Sequence, residues 1–164
     1  MKRLIPLLLA AAALLWGCDA QRIAKLEEGV STEADVRAQF GEPKQILEAS
    51  DGSKVLSYPR QPEGWTNYQI VIGTDGKLAS LRQLLTPENF AKVQPGMTQD
   101  EVRRLLGLHA KQMSYAMKPA EQVMRWHFMA GQSKKVFDVT FDAERRVIGS
   151  QIADDERETL AGGK

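Results

Sequence analysis

The chain has 164 residues, a formal net charge of +1 and a single cysteine, Cys18. A chain this close to neutral has no electrostatic attraction for nucleic acid or for an anionic membrane surface. One cysteine excludes an intramolecular disulfide, and two histidines without a CxxC sequence leave no metal-binding motif.

The N-terminus predicts a secretory signal that ends at a lipid-modified cysteine. Two cations precede an apolar run over 4–16, which is shorter than the roughly 20 residues of a membrane-spanning helix. The string Leu15–Cys18 resembles a lipobox, which signal peptidase II cuts before the cysteine that receives the lipid. Residues 1–17 are therefore expected to be removed and Cys18 to be acylated, which also removes a free thiol from an oxidising compartment. In the alternative, cleavage follows Ala20 and Cys18 is an ordinary apolar residue.

The same sequence pattern occurs twice in the rest of the chain, at an offset of 66 residues. Each copy starts at a glycine turn, continues with a threonine suited to cap a helix, and ends at a glycine. An acid three residues after the threonine completes a capping box. The matching pairs are Thr32 and Thr98, Asp35 and Glu101, Val36 and Val102, Arg37 and Arg103, Phe40 and Leu106, and Gly41 and Gly107.

Alternating apolar residues and hairpin turns predict strands after each capped helix. A further short helix is expected before each glycine turn, at 23–28 and at 87–93. The sequence therefore predicts an α+β fold in two tandem copies, each with two helices followed by a meander of three or four antiparallel strands. The copies are expected at 18–86 and 87–153, followed by a disordered tail at 154–164. The expected strands are 44–49, 54–58, 66–72 and 78–85, then 111–117, 122–129, 135–141 and 146–152.

The strings GVSTEADVRAQFGEP from Gly29 and GMTQDEVRRLLG from Gly96 resemble the helical signature of the BamE-like family, also called SmpA/OmlA. The W-x-F string at Trp126 and the V-x-F-D string at Val139 resemble its strands. This resemblance implies two helices packed on an antiparallel sheet, in a small lipoprotein of Gram-negative bacteria. BamE has one such unit, whereas this chain carries two; the same two-layer topology occurs in tandem in the β-lactamase inhibitor proteins.

BamE is an accessory subunit of the machine that inserts β-barrel proteins into the outer membrane. The resemblance therefore implies a periplasmic binding or scaffold protein for outer-membrane assembly or envelope integrity, with a protein partner in the envelope. Its anchor would be the lipid, palmitate included, on Cys18 in the outer membrane. Asp19 leaves the inner membrane open, because aspartate after the cysteine favours retention there in enteric bacteria. The alternative is an inhibitor-like or ligand-sensing lipoprotein that uses the concave face of a sheet.

Four residues are candidates for partner binding. Trp65 follows a loop and is expected to be an exposed aromatic anchor, with folding back onto the sheet as the alternative. Met113, Met117 and Met129 make the second copy methionine-rich. They are expected to form an adaptable binding surface, with filling of the core as the alternative.

No enzyme activity, cofactor or small-molecule substrate is expected. His109 follows a helix and is expected to be a turn residue rather than a catalyst. His127 is expected to be exposed, on the face opposite Trp126, with Asp138 of the next strand on the same side. Such a pair could titrate together, but without a nucleophile or a third partner a surface pair is favoured.

Overall fold

Residues 19–156 are described by a computed structural model, and they form two four-stranded antiparallel sheets, each preceded by two helices. The expected α+β class is confirmed. Cys18 and the signal segment before it lie outside the described residues. The elements are α1 Asp19–Ile23, α2 Glu33–Phe40, β1 Gln45–Glu48, β2 Lys54–Pro59, β3 Asn67–Ile72, β4 Leu78–Gln83, α3 Pro87–Phe90, α4 Gln99–Leu106, β5 Lys111–Tyr115, β6 Lys118–Ala130, β7 Ser133–Phe141 and β8 Val147–Asp154.

Each sheet is a simple meander, in the orders β1-β2-β3-β4 and β5-β6-β7-β8. All neighbouring strands are therefore consecutive in the chain, so every pairing forms through a short connection. Between residues 19 and 156 no helix has the length and apolar character needed to cross a membrane.

The two longer helices begin at the expected capping boxes. The Thr32 N–H donates to the Asp35 carboxylate at 2.8 Å, and the Thr98 N–H donates to the Glu101 carboxylate at 2.7 Å. These backbone hydrogen bonds, followed by those from the threonine hydroxyls, lower the pKa of both carboxyls. At the exposed N-termini of α2 and α4, these backbone N–H groups therefore have a hydrogen-bond acceptor.

Both helices end at a glycine with a positive φ, 80° at Gly41 and 74° at Gly107, where a side chain would strain the backbone. An aromatic side chain of the adjacent sheet then donates a hydrogen bond to the carbonyl of each glycine. The Tyr58 hydroxyl donates to the Gly41 carbonyl at 3.1 Å, and the Trp126 indole N–H donates to the Gly107 carbonyl at 3.2 Å. The end of each helix is therefore fixed to the second strand of its own sheet.

Two separate cores lie between the helices and the sheets. In the first, Phe40 of α2 contacts the rings of Tyr58 and Tyr68, with centroids 5.3 and 5.4 Å apart. In the second, Phe90 stacks on Phe137 at 4.3 Å. The cores share no residue. The buried members are Val36, Phe40, Leu56, Tyr58, Tyr68, Ile70, Ile72 and Leu78 in the first, and Leu85, Phe90, Val93, Val102, Leu106, Met124, Trp126, Phe128, Phe137, Val139, Phe141 and Val147 in the second.

The helix expected at 23–28 is wrong in position, since α1 spans Asp19–Ile23. The N–H of Leu26 donates to the Ile23 carbonyl at 2.9 Å, three residues back, so the chain tightens into a turn there. Ile23 and Leu26 still pack against the first core.

At the other end of the described chain, β8 includes Asp154, and the Asp155 N–H donates to the Lys134 carbonyl at 3.2 Å. Ordered structure thus extends past residue 153, and residues 157–164 lie outside the described part.

Candidate functional site

The loop between β2 and β3 crosses from the first sheet to the second. Within it the Gln61 side chain, 7 % exposed, donates from Nε2 to the His127 carbonyl at 2.8 Å and accepts the His127 N–H at 3.1 Å. This contact forms where β6 has an open edge, because β5 pairs with β6 only as far as Lys111 opposite Arg125. One amide side chain therefore occupies the place of a neighbouring strand.

The expectation that His127 is exposed is wrong, since its exposed fraction is 9 %. Its ring Nδ1 lies 3.1 Å from the Pro62 carbonyl, so the crossing loop covers the side chain. Asp138 does lie on the same side of the sheet, but its carboxylate receives two hydrogen bonds of 2.7 Å from Arg125. That geometry is a structural ion pair, and it raises the pKa of Arg125 through the hydrogen bonds from its guanidinium to Asp138.

A second contact between the sheets is made by Asn67, at the start of β3. Its side chain is 1 % exposed, and Nδ2 donates to the carbonyls of Leu106 and Leu108 at 2.7 and 2.8 Å. The Leu106 carbonyl at the end of α4 has no partner within the helix, and Leu108 lies just beyond it. We call the two contacts, Gln61 on His127 and Asn67 on Leu106 and Leu108, the inter-sheet latch.

A groove of about 700 Å³ lies beside the latch, between the first sheet and helix α4. Its volume is within the range of ligand-binding pockets. The sheet contributes the face opposite α2, because Val55 and Ser57 alternate along β2 with the core residues Leu56 and Tyr58. The lining residues are Lys44, Gln45, Leu47, Val55, Ser57, Pro59, Asn67, Tyr68, Gln69, Leu84, Asp100, Arg103, Arg104, Gly107 and Leu108.

The groove combines exposed apolar side chains with cations. Leu47 on the sheet side is 51 % exposed, and Leu108 after α4 is 44 % exposed. Three cations (Lys44, Arg103 and Arg104) line the groove with one acid, Asp100, which lies 3.5 Å from Arg103. Neither Lys44 nor Arg104 forms an ion pair with another residue of the described chain. The arrangement can therefore hold an elongated ligand with apolar parts and negative charge.

The methionines expected to form one binding surface are not brought together. Met117 is 95 % exposed in the turn between β5 and β6, whereas Met129, 40 % exposed, lies at the far end of β6. Twelve strand positions separate them by about 40 Å. Met113 is half-buried on β5, opposite Val123. The structure thus places Met117 and Met129 at opposite ends of the second sheet, so the methionines do not form one surface.

Trp65 is half-buried, and the Lys134 ammonium lies 5.1 Å from the centre of its ring. Lys134 belongs to β7, so the ring faces the second sheet rather than open solvent. The contact adds to the latch, since Trp65 follows the same crossing loop. Trp65 and Met129 lie near the same end of the second sheet, because Met129 is the register partner of Lys134.

His109 lies just after α4, half-buried with its ring edge-on to Trp126 at 5.9 Å. Its Nδ1 forms no hydrogen bond to any other described residue. Burial lowers the pKa of His109, and the nearby Arg103 cation lowers it further. Among residues 19–156, no cluster of three or more His, Cys, Asp or Glu side chains is placed to hold a metal ion.

The groove was not found from the sequence. The adjacent cations Arg103 and Arg104, and the exposed Leu108 just past the helix, were the available signals. They belong to the second half of the chain, while Lys44 and Leu47 belong to the first half. Only the latch places these two sets opposite each other.

The described residues form a two-sheet α+β protein with a groove between the first sheet and helix α4. No family model matches the chain, and no curated protein matches it. The chain is similar to several solved structures, of which three follow. The osmotically inducible lipoprotein OsmE is 24 % identical with a TM-score of 0.38, over 48 % of this chain and 90 % of its own.

The DUF4309 family protein YjgB from Bacillus subtilis subsp. subtilis strain 168 is 16 % identical, with a TM-score of 0.31, over 79 % of this chain and 82 % of its own. An extracellular protein of Bacillus anthracis strain Ames that contains an SCP domain is 13 % identical, with a TM-score of 0.30, over 84 % of this chain and 46 % of its own. At these identities and TM-scores no property of the three proteins is assigned to this chain.

Proposed function

We propose that the chain is a lipid-anchored protein of the bacterial periplasm that binds a protein partner in the groove between the first sheet and helix α4. Its role would be accessory to the assembly of outer-membrane β-barrel proteins or to envelope integrity, as the resemblance to the BamE-like family implies. The groove is the observation that carries the binding role. It exposes Leu47 and Leu108 beside cations that lack an ion-pair partner within residues 19–156.

The N-terminal helix supports an anchor at Cys18. Helix α1 begins at Asp19, and the Asp19 carboxylate lies 3.4 Å from Arg60 at the end of the first sheet. Ile23 and Leu26 then pack on the first core. A lipid on Cys18 would therefore hold the first sheet close to the bilayer, without a flexible tether.

Labelling cells with radioactive palmitate tests the anchor. We expect label on the wild-type chain and none on the Cys18→Ser variant, because the thioether-linked lipid needs the sulfur atom. Asp19→Asn is the matched control and should keep the label. A mature N-terminus after Ala20, read by mass spectrometry, would contradict the proposal.

Membrane fractionation of Asp19→Ser beside wild type then identifies the membrane, and an unchanged location would remove the sorting role of Asp19.

Co-purification with the barrel-assembly subunits in mild detergent tests the partner. We expect wild type to co-purify and Leu47→Glu to lose most of the partner, because a carboxylate would interrupt the apolar floor of the groove. Ile148→Glu is the matched control, since Ile148 on β8 is 49 % exposed, close to the 51 % of Leu47. No co-purification of wild type, together with normal outer-membrane protein levels in a deletion strain, would exclude the assembly role.

A further inference from the structure

Strand β1 has an open edge next to the groove. It is the first strand in its sheet order and pairs only with β2. All four of its residues are exposed, with Ile46 at 44 % and Leu47 at 51 %. Edge strands of stable proteins are usually protected by proline, lysine, a bulge or a covering segment. No proline or lysine lies within β1, its pairing with β2 has an unbroken register, and Glu48 at its end is its one charge.

Cations outnumber acids along the groove beside this edge, with Asp100 the one acid among the lining residues. Lys44 immediately precedes β1, and Arg103 and Arg104 line the opposite wall on α4. Asp100 offsets Arg103, which leaves Lys44 and Arg104 without a described ion-pair partner. Strand β8 is also an edge with exposed isoleucines, but no residue of β8 lines the groove. The cationic wall therefore distinguishes β1 from β8.

From this juxtaposition we infer that the occupant of the groove is an extended, acidic segment of a protein partner, which adds to β1 as a fifth strand. The inference rests on the proposed binding role of the groove. Backbone groups of the segment pair with the open edge of β1. Alternate side chains then point toward the groove, where carboxylates meet Lys44 and Arg104 and apolar groups meet Leu47.

An anionic acyl chain would match the charge and the apolar floor, but it has no N–H groups for the open edge. A peptide in extended conformation uses both features. The backbone of the ligand is therefore the property that an experiment must test, together with the sign of its charge.

Fluorescence anisotropy on the mature chain in phosphatidylcholine nanodiscs provides this test. The probes are three labelled short peptides: one alternates valine with glutamate, one alternates valine with lysine, and one is the acidic peptide with alternate backbone nitrogens methylated. We expect the acidic peptide to bind at least about tenfold more tightly than either of the others. Labelled palmitate serves as the probe that represents a lipid occupant.

Protein variants then locate the site. Arg104→Glu and Lys44→Glu should each weaken the acidic peptide by about tenfold and reduce the salt dependence of its binding. Arg82→Glu on β4 is the matched control, since Arg82 is exposed on the same sheet and does not line the groove. Circular dichroism melts check that each variant folds.

Equal binding of the methylated peptide would overturn the strand addition, and equal binding of the lysine peptide would overturn the acidic requirement. No binding of the acidic peptide would overturn the inference, and binding of labelled palmitate in its place would assign the groove to an acyl chain. The assay needs neither the cell nor the assembly machinery. Loss of peptide binding beside intact co-purification would therefore reject this inference alone, and the reverse result would reject the assembly role alone.

Discussion

Buried polar side chains make the contacts between the two halves of the molecule. Gln61, Asn67 and His127 are all less than 10 % exposed, with Asn67 at 1 %. The hydrogen bonds of the Gln61 and Asn67 amide nitrogens replace those lost to water, while Asn67 Oδ1 has no hydrogen-bond partner among the described residues. The partners are backbone atoms, the His127 amide and the carbonyls that end α4. A buried amide that pairs with the backbone specifies one relative position of the two sheets.

The same end of α4 makes stability depend on pH through His109. Burial and Arg103 lower its pKa from the ordinary value of 6.5, so the unfolded chain binds the proton more readily than the folded chain does. The stability that depends on neutral His109 is therefore fully present above the pKa of the unfolded chain. It is lost as the pH drops through 6.5 toward the pKa of the folded chain. Urea unfolding from pH 8 to pH 5.5 should show a smaller loss for His109→Gln than for wild type.

Every other titratable group is common to the two proteins, so the difference between the two proteins isolates His109. Parallel stability curves for the wild type and the variant over this pH range would contradict the prediction. NMR titration of the His109 ring provides the direct check, since its midpoint should lie below that of an unfolded peptide.

At the scale of the element, the repeated capping box is the strongest local signal in the sequence. In both copies the threonine hydroxyl accepts a hydrogen bond from the N–H three residues later, at 3.3 Å in α2 and 3.2 Å in α4. Each helix has only eight residues, too short to be stable by itself. The caps and the apolar contact with the sheet must therefore act together.

Thr98→Ala and Thr32→Ala should each lower the free energy of unfolding by about 1 kcal/mol, because each removes one cap acceptor. The measurement is the midpoint of urea unfolding. Thr74→Ala, in the exposed turn after β3, is the matched control and should leave the midpoint unchanged. Unequal losses at Thr32 and Thr98 would show that the two caps are not equivalent.

At the scale of the whole molecule, the latch makes one unit of two separate cores. The cores share no residue, so apolar packing alone does not force them to unfold together. The polar contacts of Gln61 and Asn67 provide the coupling. Interfaces of this kind within a chain otherwise permit relative motion.

We expect the wild type to unfold in a single transition and the double variant Gln61→Ala, Asn67→Ser to unfold in two. The reason is that each core then loses stability at its own denaturant concentration. Tryptophan fluorescence, which reports Trp126 in the second core and Trp65 beside Lys134 of β7, should separate from far-UV circular dichroism. Gln69→Ala on β3 is the matched control. Coincident transitions in the double variant would show that the latch does not couple the cores.

The sequence by itself predicted the class of fold, the eight strands to within a few residues and the two capped helices. These features depend on contacts between neighbours in the chain: alternation along a strand, a cap three residues before its donor, and a glycine at a positive φ. The exception was α1, where two apolar residues in a turn gave the same pattern as a helix. The prediction that Trp65 and the methionines bind a partner rests on residue type, which carries no information about distance across the molecule.

The tertiary structure decided which surfaces face each other. The burial of His127, the partner of Asp138 and the groove between β1 and α4 all depend on where a loop from the first half meets the second half. Gln61 and His127 are 66 positions apart, and nothing in either local sequence marks the other as its partner. Hydrogen bonds of an amide side chain have no sequence periodicity. The groove that the latch creates therefore became visible only once both sheets were in place.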